Sequence, residues 1–220
     1  MPVVLKEQLA DHAEYAVWKI EEDNDFFLSQ LILSDWEQKY LDSIQHPARK
    51  LQWLASRFLL KHLMNTTQFV ELLFDIHGKP FISNFDLKLS LSHSVGYAAA
   101  IISKEYEVGI DIEEPHRNME VLKNKFLSPA EINNIGEEER MRKLLLYWSA
   151  KEVIYKIYGK RKLEFKDDMF VKPFLLKSRG EIDGVLLKHG QVVDYLMHYI
   201  VQDDFVLVAG VEKEVMVLQG

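Results

Sequence analysis

The chain has 220 residues, with 27 Lys and Arg against 34 Asp and Glu and a formal net charge of −7. Apolar residues make up 48% and charged residues 28%, which excludes a disordered chain or a fibre; the negative balance argues against a general nucleic-acid binder, because it repels phosphate outside local basic clusters. The lack of cysteine excludes disulfides, a thiol nucleophile and Cys-ligated zinc or iron–sulfur clusters, and suits a reducing compartment.

The first seven residues hold no basic stretch followed by an apolar one, and the longest apolar runs, 97–102 and 205–211, are strand-length. A cytoplasmic protein without membrane contact is the expectation. Residues 16–20 alternate as a short strand. Ser34 and Glu37 form a capping box that opens a helix, which should end near His46 because Pro47 disfavours helical backbone before it. A second helix is expected over 48–64, with Leu51, Leu54 and Phe58 on its apolar stripe. Strands follow at 70–76, at 87–92 with 96–103 as a hairpin, and at 108–113, with a turn at Gly78-Lys79-Pro80. Ser128 and Glu131 form another capping box with Pro129 at the first helical position. A long helix is expected over 141–158, stopped by Gly159, and then strands at 170–176, 184–187, 194–201 and 205–211. Helix-then-hairpin occurs twice. This predicts two similar subdomains, 1–110 and 111–220, packed closely with a ligand cleft between them.

Three local patterns can carry chemistry. In Gly109-Ile110-Asp111-Ile112-Glu113 a strand places both carboxylates on one face, and paired oxygen ligands suit Mg²⁺ together with substrate phosphates; a solvated strand face is the plainer reading. In the 148–156 segment, Trp148, Glu152 and Lys156 lie near one helix face with Lys151 beside them, which is also the layout of a surface ion pair. Basic residues cluster in an acidic chain: Arg49, Lys50, Arg57 and Lys61 without an acid among them, and Lys151, Lys156, Lys160, Arg161 and Lys162 against Glu152 alone. Such patches suit a discrete polyanion. Ser92-His93-Ser94 and Lys79 are further anion candidates, while His116, His189 and His198 show no metal-ligand spacing. No P-loop, dinucleotide fingerprint or nucleophile elbow is present.

Taken in order, G-I-D-I-E, then Phe126-Leu127-Ser128 with Glu131, then W-S-A-K-E-V-I-Y-K resembles the 4′-phosphopantetheinyl transferases, in particular the larger surfactin-type members that are single-chain pseudo-dimers. Val153 stands where that family usually has a small residue. The resemblance spans about residues 30–170. It implies an α+β fold of two subdomains related by a pseudo-twofold, each an antiparallel-rich sheet packed with helices, with the active site in the cleft between them. It implies transfer of the phosphopantetheine arm of coenzyme A to a serine of an apo acyl or peptidyl carrier protein by a monomer. By the same resemblance Asp111, Glu113 and Glu152 would hold Mg²⁺, Glu152 would be the base, and Lys156 would stabilise the departing pyrophosphate. Lys151, Lys79, Pro80, Ser92 and His93 would contact the nucleotide or its phosphates, and Arg57, with Arg49 or Lys50, would take the 3′-phosphate. The carrier is expected to dock near Lys123, Lys125 or the 141–143 segment. A non-catalytic coenzyme A or carrier binder, a Mg²⁺ enzyme acting on another nucleotide pyrophosphate, and a plain interaction module are the competing expectations.

Overall fold

The computed structural model describes residues 3–160 and 162–217. In chain order its elements are β1 (Val3–Ala10), β2 (Ala13–Lys19), α1 (Asn24–Gln30), α2 (Asp35–Ser43), α3 (Pro47–Leu63), β3 (Leu72–Phe74), β4 (Pro80–Ile82), β5 (Lys88–Ser94), β6 (Tyr97–Ser103), β7 (Val108–Glu113), α4 (Lys123–Phe126), α5 (Pro129–Ile135), α6 (Arg140–Tyr158), β8 (Met169–Val171), β9 (Arg179–Lys188), β10 (Gln191–Val201) and β11 (Val206–Val217). No described helix is long and apolar enough to cross a membrane.

The architecture is α+β. One antiparallel sheet has the order β1-β2-β6-β5 and a second has β7-β11-β10-β9-β8. In both, the strand that precedes the helices pairs with the last strand of its half, and that strand pairs with the one before it: β2-β6-β5 in the first sheet, β7-β11-β10 in the second. Each sheet carries one long helix. The α3 helix buries Leu54, Leu59, Leu60 and Leu63 together with Ala98, Ala100 and Ile102 of β6. The α6 helix buries Leu145, Leu146, Val153 and Ile157 together with Val206 and Val208 of β11. A third cluster, with Val17, Ile101, Ile110, Ile112, Leu207 and Ala209, joins the two sheets. Because β7 sits whole in the second sheet, the break between halves falls in the 104–107 turn, just before the expected seam at 110.

Both capping boxes form, with the Ser34 and Ser128 hydroxyls accepting from the amides of Glu37 and Glu131. Pro47 begins α3, as its fixed φ and missing N–H allow, and Gly159 ends α6 in left-handed backbone. Two expected strands are shorter than anticipated: 70–76 reduces to β3, and 170–176 to β8. Four elements go beyond the expectation: β1, α1, β4 and α4. In β1 the inward face reads Leu5, Glu7, Leu9, and the acid at its centre masks the apolar alternation. Glu7 is tolerated there because Tyr15 donates to it at 2.8 Å and Arg179 pairs with it at 2.5 Å.

Candidate functional site

The site is built where the two sheets meet edge to edge. Strands β5 and β7 are neighbours in space but belong to different sheets. Side chains bridge them: Ser90 Oγ accepts the Ile110 amide and Ser92 Oγ accepts the Ile112 amide, both at 3.3 Å. On the other side of β7 runs α6. Gly109 permits that approach, since a Cβ there would lie 2.6 Å from the Val153 carbonyl oxygen. The glycine of G-I-D-I-E is therefore a packing residue that brings Asp111 against the helix carrying Glu152 and Lys156.

Asp111 is buried, 5% exposed. Its Oδ1 accepts from Lys156 Nζ at 2.8 Å and from Ser92 Oγ at 3.1 Å, while its Oδ2 is buried without a hydrogen-bond partner. Lys156 Nζ also donates to Ser92 Oγ at 3.2 Å and to the Ile110 carbonyl at 2.8 Å. Glu113 Oε1 accepts from Trp148 Nε1 at 3.0 Å and from Arg117. Trp148 stacks on Phe165 and meets Phe126 edge-on. The Glu152 carboxyl is pushed up to about 7, first by burial and then by the charge of Asp111, with Glu113 adding to it and Lys156 opposing it. His93, exposed at the end of β5, is held below the ordinary histidine value by partial desolvation and by the positive charges of Lys156 and Arg49. Arg49, His93, Lys156 and Asp111 thus share one electrostatic neighbourhood. Gln52 ties α3 to it by donating to the Ser94 carbonyl at 2.9 Å.

A cavity of about 230 Å³ opens beside Lys156, walled by Gly78, Lys79, Pro80, Ser90, Tyr155 and Lys160 among others. Lys79 and Pro80 are both in its wall. Lys79 Nζ is also engaged, donating to Glu107 at 2.6 Å and to the Ile157 carbonyl at 2.7 Å. Arg161 lies outside the described residues.

The structure corrects several expectations. Lys151 does not reach a phosphate: it is 0% exposed and donates to Glu131 at 2.9 Å, Phe165 O at 2.9 Å and Phe126 O at 2.6 Å, which uses all three of its protons. Arg57 is engaged as well, though its Nη2 is buried without a hydrogen-bond partner. It pairs with buried Glu37 at 3.1 Å, its guanidinium lies 3.3 Å over the Trp53 ring, and burial pulls its pKa down to about 10. It lines a separate small cavity with Leu31, Leu33 and Val70. Ser92 has its hydroxyl filled by Asp111, Lys156 and the Ile112 amide, so a nucleotide contact would have to displace one of them. Lys50 is half-buried on α3. In the expected docking region, Lys123 and Arg140 both pair with Glu120 and Lys143 donates to the Ile135 carbonyl, while Lys125 is exposed. The residues that sequence reasoning passed over are Gln52, Glu107, Arg117 and Tyr155. Only Glu107, directly ahead of the motif strand, had a positional signal.

Among the described residues no group of three or more His, Cys, Asp or Glu is assembled to hold a metal ion. Side chains already neutralise Asp111 and Glu113. The donor set still fits a hard divalent cation, because Mg²⁺ asks for one or two carboxylates completed by water and substrate phosphate. Asp111 Oδ2 offers a buried oxygen with no other partner, and Glu152 is raised by that same negative field.

The fold and site define a protein with two antiparallel sheets that share a carboxylate–lysine seam next to a basic cavity, apparatus suited to a phosphorylated ligand. Residues 107–208 match the sequence model of the 4′-phosphopantetheinyl transferase superfamily. It is 34% identical over 117 residues to 4′-phosphopantetheinyl transferase AcpT of Escherichia coli (strain K12), covering 50% of this chain and 59% of that protein. It is 35% identical over 117 residues to AcpT of Salmonella typhi, covering 50% and 60%. With 4′-phosphopantetheinyl transferase HetI of Nostoc sp. it shares 26% over 141 residues, covering 58% and 60%. The chain thus spans about three-fifths of the length of these relatives.

Proposed function

We propose that this protein transfers the 4′-phosphopantetheine group of coenzyme A to a serine of an apo acyl or peptidyl carrier protein and releases adenosine 3′,5′-bisphosphate, with Mg²⁺. The observation that carries the reading is Asp111, with one oxygen saturated by Lys156 and Ser92 and the other buried without a partner, beside a lysine-walled cavity. It lies in the segment that matches the transferase superfamily, and relatives bear that activity in their names.

In this mechanism the carrier serine oxygen attacks the phosphorus that bears the pantetheine arm. A serine O–P bond forms, the bridging P–O bond breaks, and the nucleotide leaves with the bridging oxygen. Glu152 takes the serine proton, directly or through water; a carboxylate near 7 is matched to that task at neutral pH. Lys156 faces the cavity and neutralises charge developing on the pyrophosphate as it departs. Mg²⁺, held by Asp111 with Glu113 or Glu152, would supply charge neutralisation at the nonbridging oxygens. Lys79 in the cavity wall, with Arg49 and His93 in the charge neighbourhood of Lys156, would receive the remaining phosphate. No side-chain nucleophile is required.

The shared strand order of the two sheets supports two subdomains related by a pseudo-twofold, with β7 whole in the second. Since both halves contribute to the seam, one chain holds a whole site and can act as a monomer. A cysteine-free chain of this kind suits the cytoplasm.

The test is the intact mass of an apo acyl carrier protein and an apo peptidyl carrier protein after incubation with this protein, coenzyme A and Mg²⁺. Gain of one phosphopantetheine, abolished by EDTA and by D111A, is the expected result. No gain on either carrier while coenzyme A still binds would establish a non-catalytic binder instead.

A further inference from the structure

Ser92 was expected to touch the nucleotide, yet its bonding describes another task. A serine hydroxyl has one proton to give and two lone pairs to fill. Here Ser92 Oγ accepts the Ile112 amide at 3.3 Å, accepts Lys156 Nζ at 3.2 Å and donates to Asp111 Oδ1 at 3.1 Å. All of its capacity is used, and the residue is 9% exposed. The Ile112 amide belongs to the very strand that carries Asp111, so one hydroxyl measures the carboxylate against its own backbone. The result is a fixed Asp111 plane with Oδ1 occupied and Oδ2 left unpartnered. Ser90, two residues earlier on β5, accepts the matching bond from the Ile110 amide at 3.3 Å and, among the described residues, bonds to no carboxylate. The two serines therefore do the same structural work at the seam, and only Ser92 also orients an acid.

We propose that Ser92 is a positioning residue of the first half that sets Asp111 of the second half so that a single oxygen, Oδ2, faces a divalent cation. This rests on the reading of Asp111 as a metal ligand given above. Partners that orient a metal-binding group typically change metal affinity by about 10–100-fold when removed.

The experiment measures Mn²⁺ binding to the full chain, without nucleotide, by the loss of the free-ion electron paramagnetic resonance signal. It compares the natural protein with S92A, S92T, S90A and D111A, and the melting temperature of each is recorded. Natural protein and S92T should bind alike. S92A should bind about tenfold more weakly, D111A should lose the site, and S90A should lower the melting temperature about as much as S92A while leaving Mn²⁺ affinity unchanged. S92A with natural affinity, beside a D111A that fails to bind, would overturn the positioning role and leave the metal site standing. Equal weakening in S90A and S92A would also overturn it, by reducing both to seam loosening. If the natural protein itself takes up no Mn²⁺, the metal reading fails and the role of Ser92 fails with it.

Discussion

Helix α6 supplies the lysines of two lysine–carboxylate pairs, five residues apart, and they serve opposite ends. Lys151 and Glu131 are both almost wholly buried, at 0% and 5% side-chain exposure. Every proton of the lysine has an acceptor, and Glu131 also receives the Ser128 and Val171 amides. Lys156 and Asp111 are also paired, but the lysine is 25% exposed at a cavity and the aspartate keeps an unpartnered oxygen. The first pair closes a network that pins α5, α6 and β8 together. The second is left one bond short and looks onto open space. Saturation, as much as burial, separates these two pairs.

Breaking the closed pair should cost most. K151M leaves Glu131 charged and buried, and removal of one partner of a buried pair costs about 3–5 kcal/mol; urea denaturation should show that loss, with E131Q added to K151M recovering part of it. K156A should cost less in stability, about 1–3 kcal/mol, because Asp111 retains Ser92 and the lysine is itself part-exposed at the cavity. Its larger effect belongs to turnover: kcat for carrier modification should fall by about 100-fold or more, the scale for losing one charge-stabilising group. Stability losses in the reverse order would break the comparison.

The pH dependence of the open site follows from Glu152, whose carboxyl is raised from 4.5 to about 7 in the folded protein. Between those values the native state holds a proton that the unfolded chain has released. This contribution to stability is therefore present below about 4.5 and lost as pH climbs through 7. In EDTA, E152Q should melt higher than the natural protein at pH 8 and close to it at pH 5; a constant difference across that range would show that Glu152 does not titrate there. The smallest expected effect sharpens the boundary of the site. R49A should raise KM for coenzyme A several-fold, whereas R57M should lower the melting temperature and leave KM unchanged, since Arg57 is buried against Glu37 and Trp53.

Much of this was legible from local rules. Both capping boxes, the proline start of α3 and the glycine stop of α6 depend on a few neighbouring residues, and all form as expected. The two motif carboxylates of β7 follow from strand alternation, and Glu152 and Lys156 from helical spacing. Lys151 could not be sorted from Lys156 that way, because the two differ only in what lies across the helix. Lys151 meets the Phe126 and Phe165 carbonyls and Glu131, acceptors supplied from two other segments of the chain. Arg57 was misjudged for the same reason: a basic helix face says nothing of the α2 carboxylate that closes over it.

By itself, then, the sequence determined the elements whose signals are local, the order of motifs, and the residue types that can bind a cation and phosphate. Tertiary structure decided which of those groups are spent. It set β5 against β7 with serine hydroxyls in place of a backbone ladder, and it drew α6 onto Gly109. It filled the donors of Lys151 and the hydroxyl of Ser92 while leaving Asp111 Oδ2 unpartnered. The physical reason is that hydrogen-bond satisfaction is a property of groups brought together from distant parts of the chain, and spacing along one segment carries no record of it.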